Sequence, residues 1–512
     1  MDRDKKIAII DLGSNSVRMI LVAIQPNGAY KMIDQVKSMV RLSKGMTGDQ
    51  EISPEGLKKT LTTLKIFQKF IVSYKADLTI PVATAALRVA KNRGDILKTI
   101  ERETGLCFRI LSGHEEAYYG YLGVINSIDV SDFYMIDIGG GSVEIAKVIN
   151  RKVENSVSLP LGAVTLTERF SLEDQPKKKH LASAENLLIK EFQNLPWLDK
   201  TPGLPVVGLG GTIRTLAKMD HKRFAFELES LHNYRFYRRE AETIMDRVFR
   251  EDYKGRSSLS GLSKDRADII LGGLLPLKTL LSYLEPDKLI ISGNGLREGV
   301  FFEKYLTELF PQPLPVTSVL DHSLYNTLGR YWMNVEHAEN IYRIARTLYE
   351  GLKEHHPFSD RDLPLLRTAG LLHDLGMSVD YYKHHNHTFY LILHSRIYGL
   401  TQKETILSAF IAGNHRDKKL KEIQLPYEDL LDSKEQKLVR IFGMFLKIAE
   451  MLDRNQYGSL TKVSTKITNG SFELHLSSKE AIGIESLSIE PFKEDFYDLF
   501  ELELKVRCFS IQ

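Results

Sequence analysis

Short apolar runs ending in small residues recur through the first part of the chain. Ile7–Ile10 leads through Asp11 and Leu12 into Gly13, Ser14, Asn15 and Ser16, and Val17 to Ile24 is apolar again. Phe133–Ile138, with Asp137 near its end, leads into Gly139, Gly140, Gly141 and Ser142, with Glu144 just beyond. Such runs, bounded by turn residues, predict buried strands. Both predict strand–turn–strand units, unlike the strand-to-helix passage of the P-loop or the Rossmann fingerprint. Val206–Leu209 runs into Gly210, Gly211 and Thr212 and on into a helix carrying Arg214, and Leu289–Ile291 runs into Ser292, Gly293, Asn294 and Gly295. Between them, Leu57, Leu61, Leu64, Phe67 and Ile71 fall three or four apart and predict an amphipathic helix within Ile52–Tyr74. Leu78–Val82 predicts a strand feeding a helix through Ala83–Arg88, Glu115 and Glu116 precede a helix over Ala117–Ile125, and Asp265–Asp268 opens an apolar helix through Leu281.

Past Pro311–Pro315 the pattern turns helical as far as about Tyr457, with Ile341, Ile344, Ala345 and Leu348 marking a buried stripe on Val335–Leu352, and a further helix over Ile441–Leu452. Phe472, Leu474 and Leu476 alternate after Asn469-Gly470, which predicts a β-hairpin. The predicted domains are 1–125, 126–310, 311–460 and 461–512.

Composition narrows the class. The 512 residues allow roughly three or four domains of ~100–200 residues each. Hydrophobic residues at 43% and charged residues at 26% fit a soluble protein with ordinary cores. A net charge of +3 gives no reason to expect a nucleic-acid partner. Cys107 and Cys508 supply neither a disulfide framework nor zinc spacing. The charged start at Met1–Lys6 precedes too short an apolar run for a signal peptide, and no run approaches a ~20-residue membrane span. The expectation is a cytoplasmic protein without membrane contact.

The candidate chemistry lies in the glycine turns. Glycine lets backbone N–H groups approach a phosphate without an intervening Cβ. Asp11 and Asp137 open two copies of one pattern 126 residues apart, which suggests two related lobes facing across a cleft, an arrangement similar to actin, the sugar kinases and the heat-shock chaperone ATPases. Arg88 is placed to reach a phosphate, and the Gly210-Gly211-Thr212 turn opens a helix, whose N-terminus suits an anion. The run Lys177–His180 reads as a solvated face. In the second half His337, His373-Asp374, His387, His415 and Asp453 sit on separate helices that can assemble a metal site if they bundle.

The ordered set Asp11–Ser16, Val82–Arg88, Ser112–Ala117, Asp137–Glu144, Gly210–Thr212 and Gly293–Gly299 resembles the exopolyphosphatase/guanosine pentaphosphate phosphatase family, over residues 1 to about 305. Val335–Ala338, Leu371–Asp374, His387, His415 and Leu452-Asp453 resemble the HD phosphohydrolase superfamily. The resemblance implies an α/β protein: two actin-like (ribonuclease H-like) lobes facing a cleft, an all-α HD-type domain and a small α+β C-terminal cap. It implies release of terminal orthophosphate from inorganic polyphosphate, or of the 5′ phosphate of guanosine pentaphosphate, by water attack in the cleft. Gly13, Ser14, Asn15, Arg88, Gly139, Gly140, Gly141, Ser142, Gly210, Gly211 and Thr212 then hold phosphate. Either Glu116 or Glu115 is the base, while Asp137 and Glu144, with Asp11, hold Mg²⁺ or another divalent cation, without which acids beside a polyanion would repel it. His337, His373, Asp374 and Asp453 are the implied metal ligands of the HD-type half, with His387 and His415 at a second position. For that half a structural role, extending the polyphosphate path and forming a homodimer, is favoured over catalysis. Two other readings stay open: a kinase or ATPase of the actin-like fold, and an HD-type nucleotide phosphohydrolase whose front half is a binding module.

Overall fold

The structure, a computed structural model, describes residues 3–44, 46, 50–221, 230–416, 427, 429–454, 456, 460–478 and 489–510. Tyr457, the limit set for the helical pattern, and residues 479–488 of the expected C-terminal cap lie outside the described residues. The chain divides into two compact units, Met1–Val319 and Leu320–Gln512.

In the first unit, β1 (Lys5–Leu12), β2 (Ser16–Ile24) and β3 (Tyr30–Met39) form antiparallel neighbours. β4 (Leu78–Ala83) and β5 (Arg109–Ile110) continue the sheet in parallel, giving the order β3-β2-β1-β4-β5. α1 (Pro54–Tyr74) lies where periodicity puts it; Ser53 caps it by accepting from the Gly56 amide at 3.1 Å, and Pro54 starts it with a preset φ. Leu64 and Phe67 of its apolar stripe are buried in the same core as Ile10, Leu12 and Met19. α2 (Ala85–Val89) and α3 (Arg93–Thr104) follow, then α4 (Gly113–Ile125), which begins four residues before the predicted start because Ser112 and Glu115 form a capping box.

A second sheet repeats the plan. β6 (Phe133–Ile138), β7 (Val143–Ile149) and β8 (Lys152–Leu159) are antiparallel, and β9 (Val206–Leu209), β11 (Lys288–Ile291) and β10 (Tyr234–Tyr237) complete the order β10-β11-β9-β6-β7-β8. Around it lie α5 (Ala163–Phe170), α6 (Lys178–Gln193), α7 (Gly210–His221), α8 (Arg238–Arg250), α9 (Tyr253–Ser258), α10 (Ile270–Leu284) and α11 (Leu296–Lys304). The helix expected to open at Asp265 starts at Ile270; Lys264–Arg266 is a single 3₁₀ turn before it.

α4 and α11 cross with their backbones in contact. A Cβ on Gly123 would lie 2.4 Å from the Gly295 carbonyl oxygen, and one on Gly299 only 1.9 Å from that of Tyr119. Glycine is therefore required at both crossings.

The second unit is mostly helical: α12 (Val319–Arg330), α13 (Val335–Gly351), α14 (Leu363–Leu372), α15 (His384–His394), α16 (Gln402–Gly413) and α17 (Ser433–Leu452). A three-stranded sheet, β12 (Leu460–Thr468), β13 (Ser471–Ser478) and β14 (Glu503–Ser510), follows with α18 (Lys493–Phe500). Phe472, Leu474 and Leu476 are buried on one face, as their alternation requires. The fold is thus α/β with mixed sheets, a helical C-terminal region and a small β-rich cap. Among the described residues no helix is long and apolar enough to cross a membrane.

Candidate functional site

The two hairpin turns have one geometry. The Gly13 amide donates to the Ser16 carbonyl at 3.1 Å, and the Gly139 amide to the Ser142 carbonyl at 3.0 Å. The loop carbonyls are taken up elsewhere: Asn15 O accepts from Val40 and Arg41, Gly139 O from Ala163, and Gly140 O from Val164 at the start of α5. That leaves N–H groups as what the loops offer a ligand. The loops also touch, since a Cβ on Gly141 would lie 2.6 Å from Ser14 Oγ.

Between them is a cavity of about 140 Å³ lined by Asp11, Gly13, Ser14, Asn15, Asp137, Gly139, Gly140, Gly141, Ser142, Glu144, Glu116 and Gly210–Thr212. All four glycine turns therefore open into one cavity, the fourth through Ser292–Gly295. Arg88 stands in an adjoining cavity that shares Ser14, Gly141 and Ser142 with the first.

The acids differ in use. Glu115 accepts from the Ser112 amide at 2.7 Å and pairs with Arg109 at 3.0 Å, and these hydrogen bonds lower its pKa. It does not line the cavity. Glu116, one residue on, is 7% exposed and ion-pairs with Arg88, which is itself anchored on the Leu111 carbonyl at 2.9 Å. Burial raises the Glu116 pKa, and the neighbouring Glu144 carboxylate raises it further. Glu144 is 3% exposed, accepts from Ser158 Oγ at 2.7 Å, and is also raised by burial. Burial, then Glu144, pushes Asp137 up to about 7 against the pull of Arg214 and Arg18. Asp11 is raised by burial and opposed by Arg18 and Arg297. Buried carboxylates lining one cavity call for positive charge or shared protons. Asp11, Asp137 and Glu144 are not among the groups of three or more ligand atoms that lie within 4.8 Å of one another among the described residues.

Four arginines of the same cavity wall, Arg18, Arg214, Arg266 and Arg297, had been given no site role, although Arg214 was placed on the helix after Gly210–Thr212 and Arg297 within Gly293–Gly299. A charged residue alone in the apolar run Val17–Ile24 was the available signal for Arg18.

Models of known families match both halves of the chain: the Ppx/GppA phosphatase family over residues 21–308, and domain III of that phosphatase over residues 319–488. The chain belongs to the Ppx/GppA phosphatase family. Membership makes it a hydrolase, an exopolyphosphatase or a related phosphatase. The Aquifex aeolicus family member is similar at 30% identity and TM-score 0.52, over 60% of this chain and 99% of that one. A second structure, of the Aquifex aeolicus PPX-GPPA enzyme, shares 31% identity at TM-score 0.50, over 59% and 99% of the two chains. An exopolyphosphatase from Cytophaga hutchinsonii, at 23% identity and TM-score 0.54 over 59% and 98%, shows a shared fold.

In this phosphatase's second unit, His337, His373, Asp374 and Glu450 form one potential metal site and Asp374, His384 and His415 another, each with its ligand atoms within 4.8 Å of one another. The histidines are oriented for it. His373 Nδ1 lies 2.8 Å from Gly370 O, His384 Nδ1 2.9 Å from Tyr381 O, and His415 Nδ1 2.6 Å from Ala412 O. A carbonyl can only accept, so each Nδ1 donates, which leaves Nε2 of His384 and His415 with a lone pair turned inward, while His373 Nε2 meets the Glu450 carboxylate at 3.1 Å. The Nε2 atoms of His384 and His415 then face each other at 3.0 Å, an arrangement that a bound cation relieves. His337 Nε2 and Asp374 Oδ1 are buried without hydrogen-bond partners among the described residues. These residues fit a divalent metal.

Two expectations are corrected here. Asp453 stands behind His337, its Oδ2 2.9 Å from His337 Nδ1, and Glu450, three residues earlier on α17, takes the inner place. His387 is not in either cluster; His384, one turn before it on α15, is. A cavity of about 320 Å³ reaches His337, His373 and Asp374.

Proposed function

We propose that this phosphatase removes terminal orthophosphate from inorganic polyphosphate in the cleft of its first unit. The observation that carries the proposal is Glu116: a buried carboxyl with a raised pKa, at the meeting point of two N–H-rich loops that suit a phosphate. In this reading the lobes 1–125 and 126–310 are actin-like, and Gly13–Asn15, Gly139–Ser142, Gly210–Thr212 and Arg88 hold the terminal phosphate. Glu116 Oε accepts a proton as the water oxygen attacks phosphorus. The P–O bond to the bridging oxygen breaks, and the shortened chain leaves on that oxygen as a phosphate anion. Arg88 opposes the upward shift that burial and Glu144 impose on Glu116 without cancelling it, so a cation beside the acids would be needed to free the carboxylate as base. Mg²⁺ or another divalent cation, held by Asp137 and Glu144 with Asp11 nearby, supplies positive charge between the acids and the substrate.

Guanosine pentaphosphate is the second substrate reading, and phosphate release measured with both compounds on one preparation decides between them. Release from neither would refute the proposal. For the second unit, residues 311–460 are read as an HD-type domain that binds divalent metal, with 461–512 as a cap. Unpartnered His337 Nε2 and Asp374 Oδ1 support the metal. A cytoplasmic homodimer belongs to the same reading.

A further inference from the structure

The cavity in which Arg88 stands is larger than hydrolysis requires. It measures about 930 Å³, against about 140 Å³ for the cavity that the acids line. A water molecule takes about 30 Å³, whereas pockets for small organic ligands run to about 300–1,000 Å³.

Its floor backs onto the reaction site. Ser14, Ala85, Gly141 and Ser142 line both cavities. The side chains that hold the two buried glutamates also face it. Arg88 is paired with Glu116, and Ser158 donates to Glu144 at 2.7 Å while accepting from Arg88 Nη2 at 3.4 Å. α4 presses against β8 here, since a Cβ on Gly113 would lie 2.3 Å from Ser158 Cβ. The floor thus lies one side chain from Glu116, on the back of the turns that suit phosphate.

The walls suit a neutral molecule. Val89, Val157 and Pro160 give apolar surface, and Ser43 and Thr165 give hydroxyl groups. Besides Arg88, the charged side chains among the described residues are Glu168, Arg169 and Glu173. Two carboxylates against one guanidinium disfavour a polyanion, so neither an inorganic chain nor a nucleotide is the natural occupant. The rim is open to solvent, with Val89 and Glu173 exposed on it.

We infer that this cavity is an acceptor site, from which the protein also transfers the terminal phosphate of its substrate to a hydroxyl group of a small neutral polyhydroxy compound. The inference rests on the proposed function and adds a second nucleophile to it. The acceptor oxygen attacks phosphorus in place of water, and its proton passes to Glu116 Oε. The P–O bond to the bridging oxygen breaks, the shortened chain leaves on that oxygen, and a phosphate monoester is the second product. A bound hydroxyl competes with solvent because a positioned nucleophile reacts as though present at about 10⁵–10⁸ M.

The test gives the full-length protein polyphosphate together with glycerol, ribose or glucose and follows monoester and orthophosphate by phosphorus NMR. At least one of the three should yield monoester in a ratio to orthophosphate that saturates with acceptor concentration. Val89→Trp and Glu173→Trp fill the mouth from its two sides, and either serves if the other fails to fold. Each should lower that ratio on the order of 10-fold or more, as when a pocket loses room for part of its ligand, and leave orthophosphate release without acceptor unchanged. No monoester from a protein that releases orthophosphate overturns the inference. A yield that rises without saturating and is the same in both variants overturns it too, because the alcohol would then attack from bulk solvent. Transfer to a nucleoside diphosphate and to none of the three neutral compounds overturns the assignment of a neutral acceptor. If the unaltered protein releases phosphate from neither polyphosphate nor guanosine pentaphosphate, the proposed function fails. Saturable binding of one of the three compounds by ligand-observed NMR, lost in Val89→Trp, would still support the site, and absence of binding would remove it.

Discussion

Glu116→Gln separates chemistry from architecture at the centre of the cleft. Gln keeps the size of the side chain, can accept from Arg88, and can donate toward Glu144, but it cannot take a proton from water. A positioned base is worth about 10²–10⁴ in rate, or about 3–5 kcal/mol of barrier. Orthophosphate release at saturating polyphosphate should fall by that factor. Stability should move the other way. The Glu116 pKa is raised in the folded protein by burial and by Glu144, from an ordinary value of 4.5. The folded state therefore holds a proton that the unfolded chain releases. The resulting stability is fully present below about pH 4.5 and is lost as pH rises through the folded-state pKa. Gln has no such loss, so the Tm of the variant relative to the native protein should climb from acid to neutral pH. In the native enzyme the acid limb of the rate profile should lie above the ordinary carboxylate range. Near-normal turnover in Glu116→Gln, with the loss appearing in Glu115→Gln, would refute the assignment. A Tm difference that does not vary with pH would refute the electrostatic account.

Three other perturbations test the rest of the structure. Phosphate release should vanish in excess chelator and return with Mg²⁺; full activity in chelator would remove the cation from the Asp137–Glu144 site. Metal analysis of the full chain should show divalent ion that His373→Ala combined with Asp374→Ala eliminates, with Glu450→Gln weakening it more than Asp453→Asn; equal metal content in all three leaves a hydrogen-bonded scaffold. Arg256 is fully buried and donates to the carbonyls of Ala267, Asp174, Glu251 and Glu173, so Arg256→Met should destabilise by about 3–5 kcal/mol in denaturant titration. A change below about 1 kcal/mol would contradict the importance of those bonds.

What could be read beforehand follows from what each signal encodes. The hairpins around Asp11 and Asp137 were legible because apolar runs and glycine turns are local, whereas the opening of all four glycine turns into one cavity is a tertiary fact. Ser112-x-x-Glu115 is also a local signal, a capping box, and it already separates Glu115 from Glu116 by giving the first a structural task. Other choices depend on tertiary placement. Glu450 lies in the last turn of α17 and Asp453 caps its end three residues on, and His384 and His387 are one turn apart on α15, so periodicity cannot say which of each pair points inward. Arg266 sits on a 3₁₀ turn between helices, where no pattern announces that it will reach Gly211.

The side-chain-free crossing of α4 and α11 bears on how variation in this chain should be interpreted. A methyl group at Gly299 displaces the backbone at Tyr119, and Tyr119 is less than a turn from Glu116 on the same rigid helix. Distance from the cleft is therefore a poor guide to tolerance. In a saturation scan scored by growth or turnover, Gly123 and Gly299 would rank beside Glu116 although neither lines the cavity. Temperature would tell them apart: the glycine variants, limited by packing, should regain function when cooled, and the glutamate variants should not.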